Sequence, residues 1–211
     1  MIQNIKLGLQ KNNTNAYTFF ADEQYYLYIN KIVRRFVKDK KNEKNLNQIQ
    51  TLIVDATYTI FPVQTTPVVD HTFTVPTLFW FFIFGTASVI HPKISGETVS
   101  QYENSKKIPI SYIENEHLIN FKKNPFAKTS KDKILMILKG DKFYLSLDAV
   151  SLLVAVKYKY IKSTATVSSG ISCDLPEFTH DEIVDLTIAH MLEVVESQRY
   201  QTKTNEITQL K

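Results

Sequence analysis

The 211-residue chain holds one cysteine, Cys173, so no internal disulfide can form and stability has to come from a packed core. Its five glycines are too scattered to build a phosphate-cradling loop, which needs several close together. A Gly-x-Ser-x-Gly elbow is missing; Ser95-Gly96 and Ser169-Gly170 read as ordinary turn dipeptides. None of the five histidines, His71, His91, His117, His180 and His190, forms a His-x-x-x-His pair. His180 and His190 lie on one predicted helix but face different directions, and adding Cys173, Asp181 or Asp185 matches no structural zinc spacing. Cys173 precedes that helix, whose N-terminus would lower a thiol pKa, but the acidic residues around it favour the thiol. No catalytic residue, metal or cofactor is therefore expected. The most apolar stretch, 77–90, falls short of the roughly 20 residues of a spanning helix and ends at His91-Pro92, so no membrane insertion is expected. Met1-Ile2-Gln3-Asn4 starts no basic segment followed by a long apolar run, and no secretion signal is expected either.

What is present is a globular composition, 44% hydrophobic and 22% charged, with a heavy aromatic load of 13 Phe and 11 Tyr. Tyr25, Tyr28, Ile29, Ile32, Val33 and Phe36 recur at helical spacing and predict a helix over 18–40. Asp22 and Glu23 near its start and Arg34, Arg35 and Lys38 near its end complement the helix dipole. Leu46, Ile49 and Ile53 predict a second helix over 43–57. Proline and threonine dominate 62–76, which reads as an extended loop, and Pro76 can open a short helix through 78–84 before a strand at 86–91. The middle third reads as strands at 107–113, 133–139, 142–147 and 150–162. A short helical turn at 114–121, a turn at Asn124-Pro125-Phe126 and a hairpin at Lys139-Gly140-Asp141-Lys142 interrupt it. A last helix is predicted over 176–200. Thr179 and Glu182 suit a capping box there, and Val184, Ile188, Met191, Leu192 and Val195 form an apolar stripe.

These elements predict an α+β fold in which N- and C-terminal helices form a bundle around a β-rich insertion. The helices should pair, because each has one apolar face to bury. The expected organisation is a flexible arm at 1–17, a helical bundle from 18–61 and 174–200, a β-rich insertion at 62–173 and a polar tail at 201–211. Phe79, Trp80, Phe81, Phe82 and Phe84 form a surface too apolar to leave in water, which marks them as buried or as subunit-interface residues. Ile207 and Leu210 are sparse apolar anchors by which the tail could dock on a neighbour. The basic run Arg34, Arg35, Lys38, Lys40, Lys41 and Lys44, interrupted by Asp39 and Glu43, could meet DNA phosphates or an acidic partner surface. A solvated helix end is its simpler reading, and the net charge of +4 is modest for a dedicated nucleic-acid binder.

Three segments carry a resemblance. They are Tyr28-Ile29-Asn30-Lys31-Ile32-Val33-Arg34-Arg35-Phe36-Val37-Lys38, Asn124-Pro125-Phe126-Ala127-Lys128, and Cys173-Asp174-Leu175-Pro176-Glu177-Phe178-Thr179-His180-Asp181-Glu182-Ile183-Val184-Asp185. In order and spacing, over about 20–200, they resemble the head-to-tail adaptor and neck-tail ring proteins of crAss-like tailed phages. The strand Tyr158-Lys159-Tyr160-Ile161-Lys162 fits the same pattern. The aromatic run 78–84 and Ala127-Lys128-Thr129, where a further proline would be expected, depart from it.

The resemblance implies a non-enzymatic virion protein with an adaptor-like helical bundle. It implies a homo-oligomeric ring of twelve-fold symmetry between portal protein and tail, neighbouring other tail ring proteins and passing genomic DNA through its lumen. Assembly would occur in the host cytoplasm. The alternative is a DNA-binding or packaging-associated protein that uses the basic run from Arg34 to Lys44.

Overall fold

In the computed structural model of the chain, residues 1–12, 20–60, 68–90, 105–113, 129–130 and 132–209 are described, residues 12 and 197–209 by backbone alone. The architecture is mixed α+β and divides into two compact units, Met1–Leu52 with Thr164–Lys211, and Ile53–Ser163.

The first unit is helical: α1 (Ile2–Asn12), α2 (Asp22–Asn42) and α3 (His180–Gln209). Helix α2 buries Tyr25, Ile29, Ile32, Val33, Phe36 and Val37, the stripe its periodicity predicts. At its start the Gln24 side chain accepts the Ala21 N–H at 2.9 Å, satisfying one of the orphan donors of the first turn. At its end Lys44 is left-handed (φ 59), and the Asn45 N–H reaches the Lys40 carbonyl at 2.9 Å, a Schellman closure on a non-glycine residue. Helix α3 runs antiparallel to α2, since Lys40 pairs with Glu182 at 2.9 Å while the Tyr28 ring meets His190 at 5.7 Å. It buries Ile183, Val184, Met191 and Val195, and the buried Thr187 hydroxyl donates to the Ile183 carbonyl at 2.7 Å. Of the expected pairing stripes, Tyr25, Ile29, Ile32, Phe36, Val184, Met191 and Val195 are all buried; Ile188 instead lies against α1. The connecting segment is clamped by Asn30, whose side chain donates to the Val167 carbonyl at 3.0 Å and accepts the Val167 N–H at 2.8 Å.

Several boundaries differ from expectation. Residues 1–17 were expected to be a flexible arm, yet Ile2–Asn12 is helical and Ile5 and Leu9, one turn apart, are fully buried. In place of a helix over 43–57 there is a 3₁₀ helix, Leu46–Leu52, and then a strand from Ile53. Threonine and the β-branched Ile53 and Val54 favour the strand. The expected tail at 201–211 is not separate, because α3 continues through Gln209. At the start of α3, Thr179 makes no capping box. Its hydroxyl donates to the Pro176 carbonyl at 2.7 Å within a 3₁₀ turn, Glu177–Thr179, and Glu182 pairs with Lys40. The expected turns at 114–121 and 124–126 lie outside the described residues.

The second unit, Ile53–Ser163, takes the place of the insertion expected at 62–173. It is a seven-stranded sheet: β1 (Ile53–Thr59), β2 (Asp70–Thr74), β3 (Phe79–Ile90), β4 (Lys106–Ile113), β5 (Ile134–Lys139), β6 (Lys142–Ser146) and β7 (Leu152–Lys162). The strand order is β1-β7-β3-β4-β5-β6-β2, antiparallel throughout except between β4 and β5. The expected hairpin is present: Gly140 (φ 63) and Asp141 join β5 to β6, with Lys139 opposite Lys142. Strands β1 and β2 are at opposite edges, roughly 29 Å apart if the sheet were flat at about 4.8 Å per strand. Yet Tyr58 of β1 stacks on Phe73 of β2 at 4.7 Å between ring centroids, so the sheet curls round until its edges meet. The enclosed core holds Phe73, Ile108, Ile134, Met136, Phe143, Leu145, Val156, Tyr158 and Tyr160.

Gly8 of α1 faces α3: a Cβ there would lie 2.2 Å from Ile188 Cδ1. Overpacking a core contact costs about 1–3 kcal/mol, while alanine gains about 1 kcal/mol over glycine in a helix. Gly8→Ala should therefore give no gain, or a loss, in the native chain. In an Ile188→Val background, which lacks Cδ1, it should stabilise by about 0.5–1 kcal/mol. A double-mutant cycle by urea unfolding checks this; equal gains in both backgrounds would contradict the contact.

Candidate functional site

The aromatic run expected to be a short helix is part of β3, and β-bulges at Phe79/Phe81 and Phe82/Phe84 decide where its rings go. Phe79 and Phe82 turn inward: Phe79 meets Phe143 at 5.0 Å and Tyr160 at 5.6 Å, and Phe82 stacks on Tyr112 at 4.8 Å. Both are half-buried and pack against the core of the sheet. Gly85 faces the same way, with Phe82 Cζ 3.0 Å and Tyr158 Cβ 3.2 Å from where its Cβ would be, so a side chain there would have to displace its neighbours by a few tenths of an ångström. Phe81 lies opposite Ile161 and Phe84 opposite Lys159 on the other face of the strand. Trp80 stacks on Phe81 at 4.7 Å, and both are half-buried; Phe84 is 50% exposed. Of the tail anchors, Ile207 falls in α3 and Leu210 lies outside the described residues.

Of the basic candidates, Arg34, Arg35 and Lys38 are exposed on α2, while Lys41 is half-buried. Arg35 leans on Asp39 at 3.7 Å, and Lys40 is drawn to Glu182 and Glu43, which together raise its pKa. Arg34 and Lys38 have no ion pair among the described residues. With Leu27, 66% exposed, and Lys31, they form one outward ridge at 4-3-4 spacing, opposite the buried stripe. Sequence reasoning missed the counterpart on α3. There Asp185, Leu186, Ala189, Glu193 and Glu196 are exposed along one ridge, flanked by Asp181 and Glu182. The signal was in the chain: residues 163–198 hold seven acidic residues and no Lys or Arg.

Cys173 and His180 line a groove of about 540 Å³ in the helical unit, together with Met1, Tyr26, Val167 and Ile171. Burial pushes the Cys173 thiol up, with Asp174 adding to it and a Leu175 backbone hydrogen bond opposing. His180 Nε2 sits 3.1 Å from the Leu175 carbonyl oxygen, which occupies that nitrogen locally. Among the described residues no three His, Cys, Asp or Glu side chains come together as a metal site. His91 and His117 lie outside those residues. No helix among them is long and apolar enough to cross a membrane.

No protein-family model matches the chain, and no curated protein matches it significantly.

His71 is buried on the inner face of β2, opposite Leu145, and its Nε2 has no hydrogen-bond partner among the described residues. Burial lowers its pKa below the usual value, against a hydrogen bond to the Val68 backbone and the charge of Asp70. The folded chain thus resists a proton that the unfolded chain accepts. Stability should be intact above about pH 6.5 and fall as pH drops below it, by up to about 1.4 kcal/mol per pH unit until the folded pKa is reached. Urea unfolding at pH 7.5 and 5.5 should show His71→Leu losing less stability than the native chain. Parallel losses would mean that His71 does not carry the effect.

Proposed function

We propose that the chain is a structural, non-catalytic subunit of an oligomeric ring in the neck or tail of a crAss-like tailed phage, connecting portal to tail. The observation that carries this reading is where the resembling segments fall. The segments 28–38 and 173–185 belong to one helical unit built from both ends of the chain, and they stand at its joints. Asn30 clamps the backbone of Val167; Asp174 accepts the Ala165 N–H at 3.3 Å; Leu175-Pro176 leads into the turn that starts α3. A helical unit built from both ends of the chain, with a β unit between them in sequence, supports the reading, since the resemblance implies an adaptor-like bundle with a β insertion.

Closed rings join subunits through two different faces, and the helical unit offers a basic ridge and an acidic one. The C-terminal stretch 201–211, whose sequence carries Ile207 and Leu210, is assigned to docking on an adjacent subunit or ring. A polar helical stretch is marginal unless a partner supplies the other half of its contacts. The portal protein and adjacent tail rings are the proposed neighbours, with twelve copies per ring, DNA in the lumen and the virion as its place.

A second reading has its own observation: Arg34 and Lys38, exposed and without an ion pair among the described residues, could serve as phosphate contacts. Light scattering on the purified full chain, joined to negative-stain microscopy, separates the two. A ring reading expects closed particles at many times the 24.4 kDa chain mass as concentration rises. A monomer at every concentration, retained on duplex DNA and released by added salt, would favour the second reading and contradict the first.

A further inference from the structure

We infer that the outward ridges of α2 and α3 are the two halves of one contact between copies of this chain, the basic ridge of one copy seating on the acidic ridge of the next. The inference rests on the ring reading and names the faces that ring would use. Both ridges belong to the helical unit, and each sets exposed apolar surface among charges of one sign. On α2, Leu27 is followed by Lys31, Arg34 and Lys38, and no acidic residue occurs between Glu23 and Asp39. On α3, Leu186 (43% exposed) and the small Ala189 sit among Asp185, Glu193 and Glu196. The partial apolar character gives each ridge surface to bury, and the small residue at the centre of the acidic ridge leaves room for a long side chain.

Within one copy the two ridges satisfy each other only at their margins. Lys40 meets Glu182 at 2.9 Å and Lys31 meets His190 at 3.0 Å. Arg34, Lys38, Asp185 and Glu196 are left without an ion pair among the described residues. Like charges keep either ridge from meeting its own kind, so a two-fold contact through one ridge is disfavoured. Basic on acidic used once per pair is a heterologous contact, the kind the ring reading requires. It leaves each bound pair with one free ridge of each sign, which lets the association propagate and close.

The test is charge reversal in the full-length protein, with circular dichroism confirming the fold and sedimentation velocity reporting association. Arg34→Glu with Lys38→Glu should weaken self-association at least about tenfold, and so should Asp185→Lys with Glu196→Lys. Mixing the two variants, or placing all four changes in one chain, should restore it, because the ridges are complementary again. Salt should weaken association of the native chain. If the native chain associates and both reversals leave that intact, the ridge contact is wrong while the ring reading stands. If reversing α2 abolishes retention of duplex DNA and leaves self-association unchanged, the basic ridge belongs to nucleic acid and the contact is again wrong. A native chain that never associates, free or in particles, overturns both.

Discussion

The β unit depends on the contact between its aromatic rings on the inner face of the sheet. Phe143 is fully buried among Phe73 at 5.2 Å, Phe79 at 5.0 Å and Tyr158 at 5.6 Å, and Phe73 carries the stack on to Tyr58. That chain of rings spans from one edge strand to the other. Filling a curved interior takes bulk, and aromatic side chains supply more buried area per residue than any others. Curling in turn requires irregularity in the long strand β3, and the bulges there provide it. Desolvation inside this interior pushes the Tyr158 hydroxyl up to about 12, with Tyr160 adding to the effect.

This arrangement has a consequence for function. Phe79 and Phe82 pack against the interior, so the proposed assembly contact is sought on the charged faces of the helical unit. There the physics is different: two amphipathic helices meet along their apolar stripes and turn charged faces outward, one of each sign. The clamp of Asn30 on Val167 shows why a polar residue stands in the middle of α2. It satisfies both backbone groups of a residue in the irregular segment before α3, groups that would otherwise be costly where they are half-buried.

Much of this was legible in the chain, and the failures have physical causes. Helices α2 and α3, the β5–β6 hairpin and β7 follow period-3.6 or period-2 patterns long enough to read, as with Val156, Tyr158 and Tyr160 against Lys157 and Lys159. Helix α1 escaped because its buried residues are few: Ile5 and Leu9 are a single turn's worth of signal among Asn and Gln. The run 78–84 was misread because a continuous apolar stretch has no period of its own, and bulges reassign its faces. The 43–57 stretch carried a helix-like spacing at Leu46, Ile49 and Ile53, but pairing of Ile53–Thr59 with β7 won over that local pattern. The basic run was legible in the sequence, whereas the acidic ridge needs the exposed face of α3 to bring Asp185, Glu193 and Glu196 into line.

The central claim is that the chain works by being held in a ring, and the most direct measurement is its position in an electron-microscopy map of the assembled particle. The account predicts a closed ring of this chain between portal and tail, with the outward face of α2 in each copy against α3 of its neighbour. A particle map that contains no ring of this chain, or places it as single copies bound along DNA, would contradict it.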